Sequence, residues 1–126
     1  MKAFAQAEWE RARRALASAG QLVESDPDSA ASRAYYAAFH ALTALFAQRT
    51  QVFSKHSALR AALHRDLIQP GLLDENLGRD YDFLLELREA GDYGDLAHVP
   101  VEAARQAVEK ARAILAALPQ IGGAGR

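Results

Sequence analysis

The sequence predicts an all-α fold, a small bundle built around one central helix. Three observations carry this. Alanine, the best helix former, is abundant along the whole chain, whereas the β-branched valine and isoleucine that favour sheet are scarce. The four prolines all stand where a helix could begin or end. And the stretch Ser32 to Phe46, SRAYYAAFHALTALF, sorts its side chains into three stripes at helical spacing. One stripe is large and apolar: Ala31, Tyr35, Ala38, Phe39, Leu42, Leu45, Phe46. The next is small: Ala30, Ala34, Ala37, Ala41, Ala44. The third is mostly polar: Arg33, Tyr36, His40, Thr43. Two adjoining apolar faces let one helix meet several neighbours, so this segment is the expected centre of the bundle.

The first helix is predicted from about Lys2 to Glu24, with Ala5, Trp9, Ala12, Leu16, Ala19 and Val23 as its inner face and Glu10, Arg13, Arg14 and Gln21 off it. The turn Ser25-Asp26-Pro27-Asp28 offers Asp26 as a cap and Pro27 as the first helical residue of the central helix. So short a turn returns that helix antiparallel to the first. The central helix should end near Arg49 or Thr50. Ser54 is the expected cap of a third helix, Lys55 to Leu67, with Leu59, Ala62, Leu63 and Leu67 on its apolar edge. Gln69-Pro70-Gly71 breaks it.

A fourth helix is predicted over Asp74 to Ala90, with Leu77, Tyr81, Leu84 and Leu85 facing inward and Gly91 as its C-terminal cap. Asp92-Tyr93-Gly94-Asp95 then reads as a tight polar turn. A fifth helix, Val101 to Leu118, has Val101, Ala104, Val108, Ala111, Leu115 and Leu118 as its core face. Residues 1–118 form one expected domain, and residues 119–126 an expected flexible tail.

Composition bounds the function. A net charge of −1 gives no general attraction to nucleic acid, although a local basic site remains open. The absence of cysteine excludes disulfides and thiolate metal sites and fits a reducing cytoplasm. The N-terminus turns charged too early for a signal peptide. No apolar run approaches the ~20 residues of a membrane span.

Arg88 is the sharpest residue, because it falls on the apolar stripe of the fourth helix, where an arginine needs partners. A structural ion pair with Asp92 or Asp95 would satisfy it. Equally, its guanidinium could hold a phosphate in bidentate fashion. Arg33, Tyr36 and His40 share one side of the central helix, either as a wet face or as a cation, a phenol and an imidazole suited to a phosphate ester or a proton transfer. His56 and His64 lie on one side of the third helix, without a carboxylate at metal-ligand spacing. Gly91 and Gly94 are too few for a phosphate loop. Neither a metal nor a cofactor is expected.

Taken together, SRAYYAAFHALTALF, SKHSALRAAL and LGRDYDFLLELREAGDYGD resemble the HEPN domain (higher eukaryotes and prokaryotes nucleotide-binding), most of all its small stand-alone prokaryotic branch. The resemblance covers roughly Ala3 to Leu118. It implies an up-and-down bundle of four to five helices, commonly a homodimer, working beside a minimal nucleotidyltransferase, often as a toxin–antitoxin pair. It also implies nucleotide or RNA as ligand. Many members are metal-independent RNases with the signature R-x(4-6)-H at the end of the helix corresponding to the fourth here. Arg88 occupies the arginine place, but Tyr93 stands where the shortest motif has histidine, and His98 comes too late. Arg49 and His56 match the spacing only across a different loop, and that match reads as chance.

Three functions follow as alternatives. The first is a dimeric nucleotide- or RNA-associated binding module, with Arg88, Arg33, Tyr36, His40, Asp92 and Tyr93 as candidate phosphate or RNA contacts. The second is an RNase with a variant site using Arg88 with Tyr93, His98 or His40. The third is a structural helical adaptor.

Overall fold

The computed structural model describes residues 2–93 and 98–121, with the backbone alone for residues 92, 93 and 120. Its elements in order are α1 (Lys2–Leu22), α2 (Pro27–Gln48), α3 (His56–Ala62), a π-helical turn (Leu63–Ile68) that continues α3, α4 (Glu75–Tyr93), α5 (Val101–Ala117) and a 3-10 turn (Leu118–Gln120). No strand occurs among the described residues. The packed part of the chain reaches Ile121, whose side chain is buried. Residues 122–126 lie outside the described residues.

Helix α2 starts as its sequence dictates. The Asp26 carboxylate accepts from the Ser29 backbone N–H at 3.2 Å and from the Ser29 hydroxyl at 2.7 Å, and Pro27 fills the first turn. These bonds satisfy donors that the helix itself leaves open. At the other end Thr50 takes a left-handed φ of 61°, the conformation a glycine commonly supplies after a helix.

Both apolar stripes of α2 are buried within one chain, except for Phe39, which is half-buried. Ala30, Ala34, Ala37, Ala41 and Ala44 are closed off from solvent, as are Tyr35, Ala38, Leu42, Leu45 and Phe46. Helix α1 runs along α2 over most of its length, and α4 and α5 cover the remainder. Buried Ala5, Ala12 and Ala19 on α1 match the small residues of α2, so the two backbones approach closely. The fullness of α2 therefore has its cause inside the monomer. It gives no independent reason for a second copy. Tyr35, Tyr81, Phe46, Leu42, Leu59, Leu63, Leu67, Leu84 and Leu118 are the largest fully buried side chains, each worth roughly 1.5–3 kcal/mol of transfer free energy.

Two expected helix ends differ. Ser54 is not a cap; α3 begins one residue later, with Lys55 at the cap position and no side-chain bond to the helix. Gly91 does not end α4, which continues through it to Tyr93. A Cβ at Gly91 would meet Val99 Cγ2 at 3.1 Å and Asp28 Oδ1 at 3.6 Å. This glycine thus serves close packing between α4, the start of α2 and the segment before α5, not helix termination. The polar turn expected at Asp92–Asp95 begins instead as helix, and its residues 94 and 95 lie outside the described residues.

Candidate functional site

Helix α3, its π-helical continuation, α4 and the polar edge of α2 enclose an open cleft of about 860 Å³. Tyr36, His56, Ser57, Arg60, His64, Asp82, Arg88 and Glu89 line it, with Ala61 and Leu85 as apolar wall. His56, Arg60 and His64 recur every fourth residue, so one helical stripe carries all three toward the cleft. The chain continues through the π-turn, where the Gln69 N–H reaches the His64 carbonyl at 2.9 Å. Opposite, Gly78 of α4 lets the two segments touch: a Cβ there would lie 2.9 Å from His64 Cε1.

Asp82 joins the walls. Its Oδ1 accepts from Arg60 Nε at 2.8 Å and from His64 Nε2 at 3.1 Å. Burial works to raise the Asp82 pKa, but the two hydrogen bonds and the charges behind them outweigh it and hold the carboxyl below the usual range. The same pairing holds the Arg60 guanidinium above its ordinary value.

Arg88 is half-buried. Its guanidinium carbon sits 5.4 Å from the centroid of the Tyr35 ring and 5.1 Å from that of Tyr36. Two aromatic faces thus stabilise the cation at a place that also lines the cleft. The ion pair expected with Asp92 or Asp95 falls on side chains outside the described residues, as does the position of Tyr93's phenol.

Of the polar trio on α2, only Tyr36 reaches the cleft. Arg33 is exposed and off its lining. His40 turns to α1: its Nδ1 lies 2.9 Å from Glu8 Oε1. Glu8, the one buried charged residue among those described, is also paired with Arg11. His98 is held at the start of α2, with Nδ1 2.9 Å from Asp28 Oδ2, while the Val99 N–H donates to Asp28 Oδ1 at 2.7 Å. The His98 contact, then the Val99 bond, keep the Asp28 carboxyl low.

His56 is the histidine the structure brings to Arg88. Its ring stacks on Phe39, with centroids 4.2 Å apart and planes at 22°, and Nδ1 lies 3.0 Å from the Tyr35 hydroxyl. Burial, then the positive charges of Arg88 and His40, push its pKa below the ordinary imidazole value. From the sequence, His56 and His64 read as a weak metal pair and the Arg49–His56 spacing as chance, and Arg60, Asp82 and Glu8 carry no signal of their own. The fourfold recurrence of His56, Arg60 and His64 was the available signal. Among the described residues no group of three histidine or carboxylate side chains is gathered closely enough to hold a metal ion. What the cleft offers is a set of N–H donors, two rim carboxylates and exposed aromatic edges, the inventory for a phosphate with a polar group attached.

No described helix is long and apolar enough to cross a membrane. Comparison with known proteins agrees with the fold. The chain is 35% identical over 112 residues to a UPF0332 protein of Thermotoga maritima, an alignment spanning 88% of this chain and 85% of that protein. The sequence profile of the HEPN domain matches residues 5–121. A helical bundle, nearly the full length of the chain and a profile match across all five helices lead to one conclusion: the chain belongs to the HEPN domain family.

Proposed function

We propose that the protein is a cytoplasmic, dimeric binding module that holds a phosphate-bearing ligand, RNA or nucleotide, in the cleft around Arg88. The observation that carries this reading is the Arg88 guanidinium held against the Tyr35 and Tyr36 rings in a cleft that Arg60, His56 and His64 also line. Family membership supports a nucleotide- or RNA-related role in general terms. The more specific reading, a partnership with a minimal nucleotidyltransferase in a toxin–antitoxin-type pair, rests on the resemblance to the stand-alone prokaryotic branch. So does the homodimer, and a monomer by light scattering at high micromolar concentration would count against it.

The test is fluorescence anisotropy with a short labelled single-stranded RNA and metal-free protein. Arg88→Gln should weaken binding by about tenfold, the worth of one charge-assisted contact, and Arg60→Gln by less, since Asp82 already engages that guanidinium. An Arg88→Gln variant that binds as well as the parent would sink the cleft as the ligand site.

A second reading, a metal-independent RNase with a variant site, is favoured by one observation: His56 stands around the same aromatic rings as Arg88. Metal-free cleavage of the same RNA, abolished in both Arg88→Gln and His56→Phe, would select it.

A further inference from the structure

We propose that His56 serves the cleft as a neutral Nε2–H donor, its tautomer fixed by a hydroxyl chain running from Tyr81 through Tyr35, and that this N–H and the Arg88 guanidinium hold one phosphate group between them. The ligand half of this inference rests on the reading of the cleft given above. The tautomer half rests on hydrogen-bond geometry and is independent of that reading.

Tyr81 and Tyr35 are both fully buried. The Tyr81 hydroxyl donates to the Tyr35 oxygen at 3.2 Å, and the Tyr35 hydroxyl lies 3.0 Å from His56 Nδ1. Each hydroxyl has a single hydrogen. With Tyr81 donating to Tyr35, the Tyr35 hydrogen goes to His56 Nδ1, and every hydrogen in the chain is used. In the opposite direction Nδ1–H would donate to Tyr35 and Tyr35 to Tyr81. The Tyr81 hydrogen would then need a further acceptor, and among the described residues its hydroxyl has a hydrogen bond to Tyr35 alone. A buried donor left unmade is costly, so the first direction prevails. A neutral imidazole that accepts at Nδ1 carries its proton on Nε2. Charging the ring would place a proton on Nδ1 as well and force the same reversal. Burial and the neighbouring charges of Arg88 and His40 oppose that charging too.

The ring is also held in orientation. It stacks on Phe39 and meets Tyr36 edge to face, at 6.1 Å and 85°. A flip about the Cβ–Cγ bond would put Cδ2 where Nδ1 now stands and break the Tyr35 bond. Nε2 therefore lies on the edge away from Tyr35. Two of the rings around His56, those of Tyr35 and Tyr36, also carry Arg88, with the Tyr36 centroid 6.1 Å from the imidazole and 5.1 Å from the guanidinium carbon. Both groups are donors, and both line the cleft. One consequence separates binding from cutting. A base that takes the proton of a ribose hydroxyl needs a lone pair facing the ligand, and this tautomer turns its lone pair to Tyr35 instead.

The experiment uses the full chain labelled with nitrogen-15 in histidine. Two-bond proton–nitrogen correlation at pH 7.5, with His56 assigned by its loss in His56→Phe, should show the Nε2–H pattern. An Nδ1–H pattern or a charged ring overturns the proposal. Tyr35→Phe should turn the His56 signal into a mixture of tautomers; an unchanged signal means the hydroxyl chain is not what fixes it. Adenosine 5′-monophosphate is then titrated as probe. His56→Phe, which keeps the stacking on Phe39, should weaken binding by about fivefold, and His56→Gln, which restores an N–H near the Nε2 position, should recover to within about twofold of the parent. If Arg88→Gln loses the probe and His56→Phe does not, this inference fails and the cleft stands. If neither variant changes binding, the reading of the cleft fails and takes the phosphate role of His56 with it.

Discussion

Helix α2 shows two different ways of meeting a neighbour. Against α1 it presents alanines, and α1 answers with alanines of its own, so that contact is close and buried, crossed by the single polar link from His40 to Glu8. Against α3 and α4 it presents Tyr35, Tyr36 and Phe39, and the answer is a set of rings, hydroxyls and charges. Around Ala12, Ala19, Ala37 and Ala41, all completely buried, the first seam has little room for a side chain to grow, because small residues set the distance between the backbones. The second is joined through side-chain tips and leaves an open cleft. Fold stability and the proposed ligand chemistry thus fall on opposite sides of one helix, and substitutions on the two sides should have different signatures.

The largest effect should come from filling the tight seam. Ala12 is completely buried on α1, and Ala12→Leu should cost about 3 kcal/mol by overpacking, read as a lowered urea midpoint. Glu8→Ala comes next at about 2 kcal/mol, because His40 and Arg11 lose a buried acceptor; a loss below the error of the urea fit would show that the His40–Glu8 contact adds nothing to the seam. On the cleft side the effect should shrink. Asp82→Asn is expected to cost about 1 kcal/mol or less, since Arg60, its main partner, is substantially exposed and solvent screens the pair. A cost above that of Glu8→Ala would erase the contrast between the two sides.

The smallest effect is in pH dependence. Because folding lowers the His56 pKa, the unfolded chain takes up that proton first as pH falls below about 6.5, so stability declines with acidification there. His56→Phe should flatten that slope between pH 7.5 and 5.5. The depressed Asp28 and Asp82 carboxyls act in a separate window. Their stabilisation is present above about pH 4 and is lost below it as they protonate.

Much of the bundle was legible because periodicity and capping are local. Asp26-Pro27 begins α2, and the two apolar stripes of α2 are buried apart from half-buried Phe39. The misreadings share a cause: a residue whose local meaning is overridden by a distant contact. Gly91 looks like a helix stop, yet Val99 and Asp28 lie against it. His40 shares a side with Tyr36, yet Glu8 on another helix draws it away; Arg33 stays in solvent, which is the wet-face alternative. The cleft itself needed the third dimension. Arg60 and Asp82 stand far apart in sequence and meet across two helices, and the link between His56 and Tyr35 is just as non-local. Arg88 was legible because an arginine on an apolar stripe is conspicuous in one dimension.

Whether the side of α2 facing α3 and α4 is the ligand side can be read from an NMR titration of the labelled full chain with a short single-stranded RNA. Shift changes are expected at Tyr36, Ser57, Arg60, Leu85 and Arg88, saturating together, with Ala12, Ala19 and Ala37 of the tight seam unmoved. Changes centred on α1 and α5 with the cleft residues unaffected would contradict it.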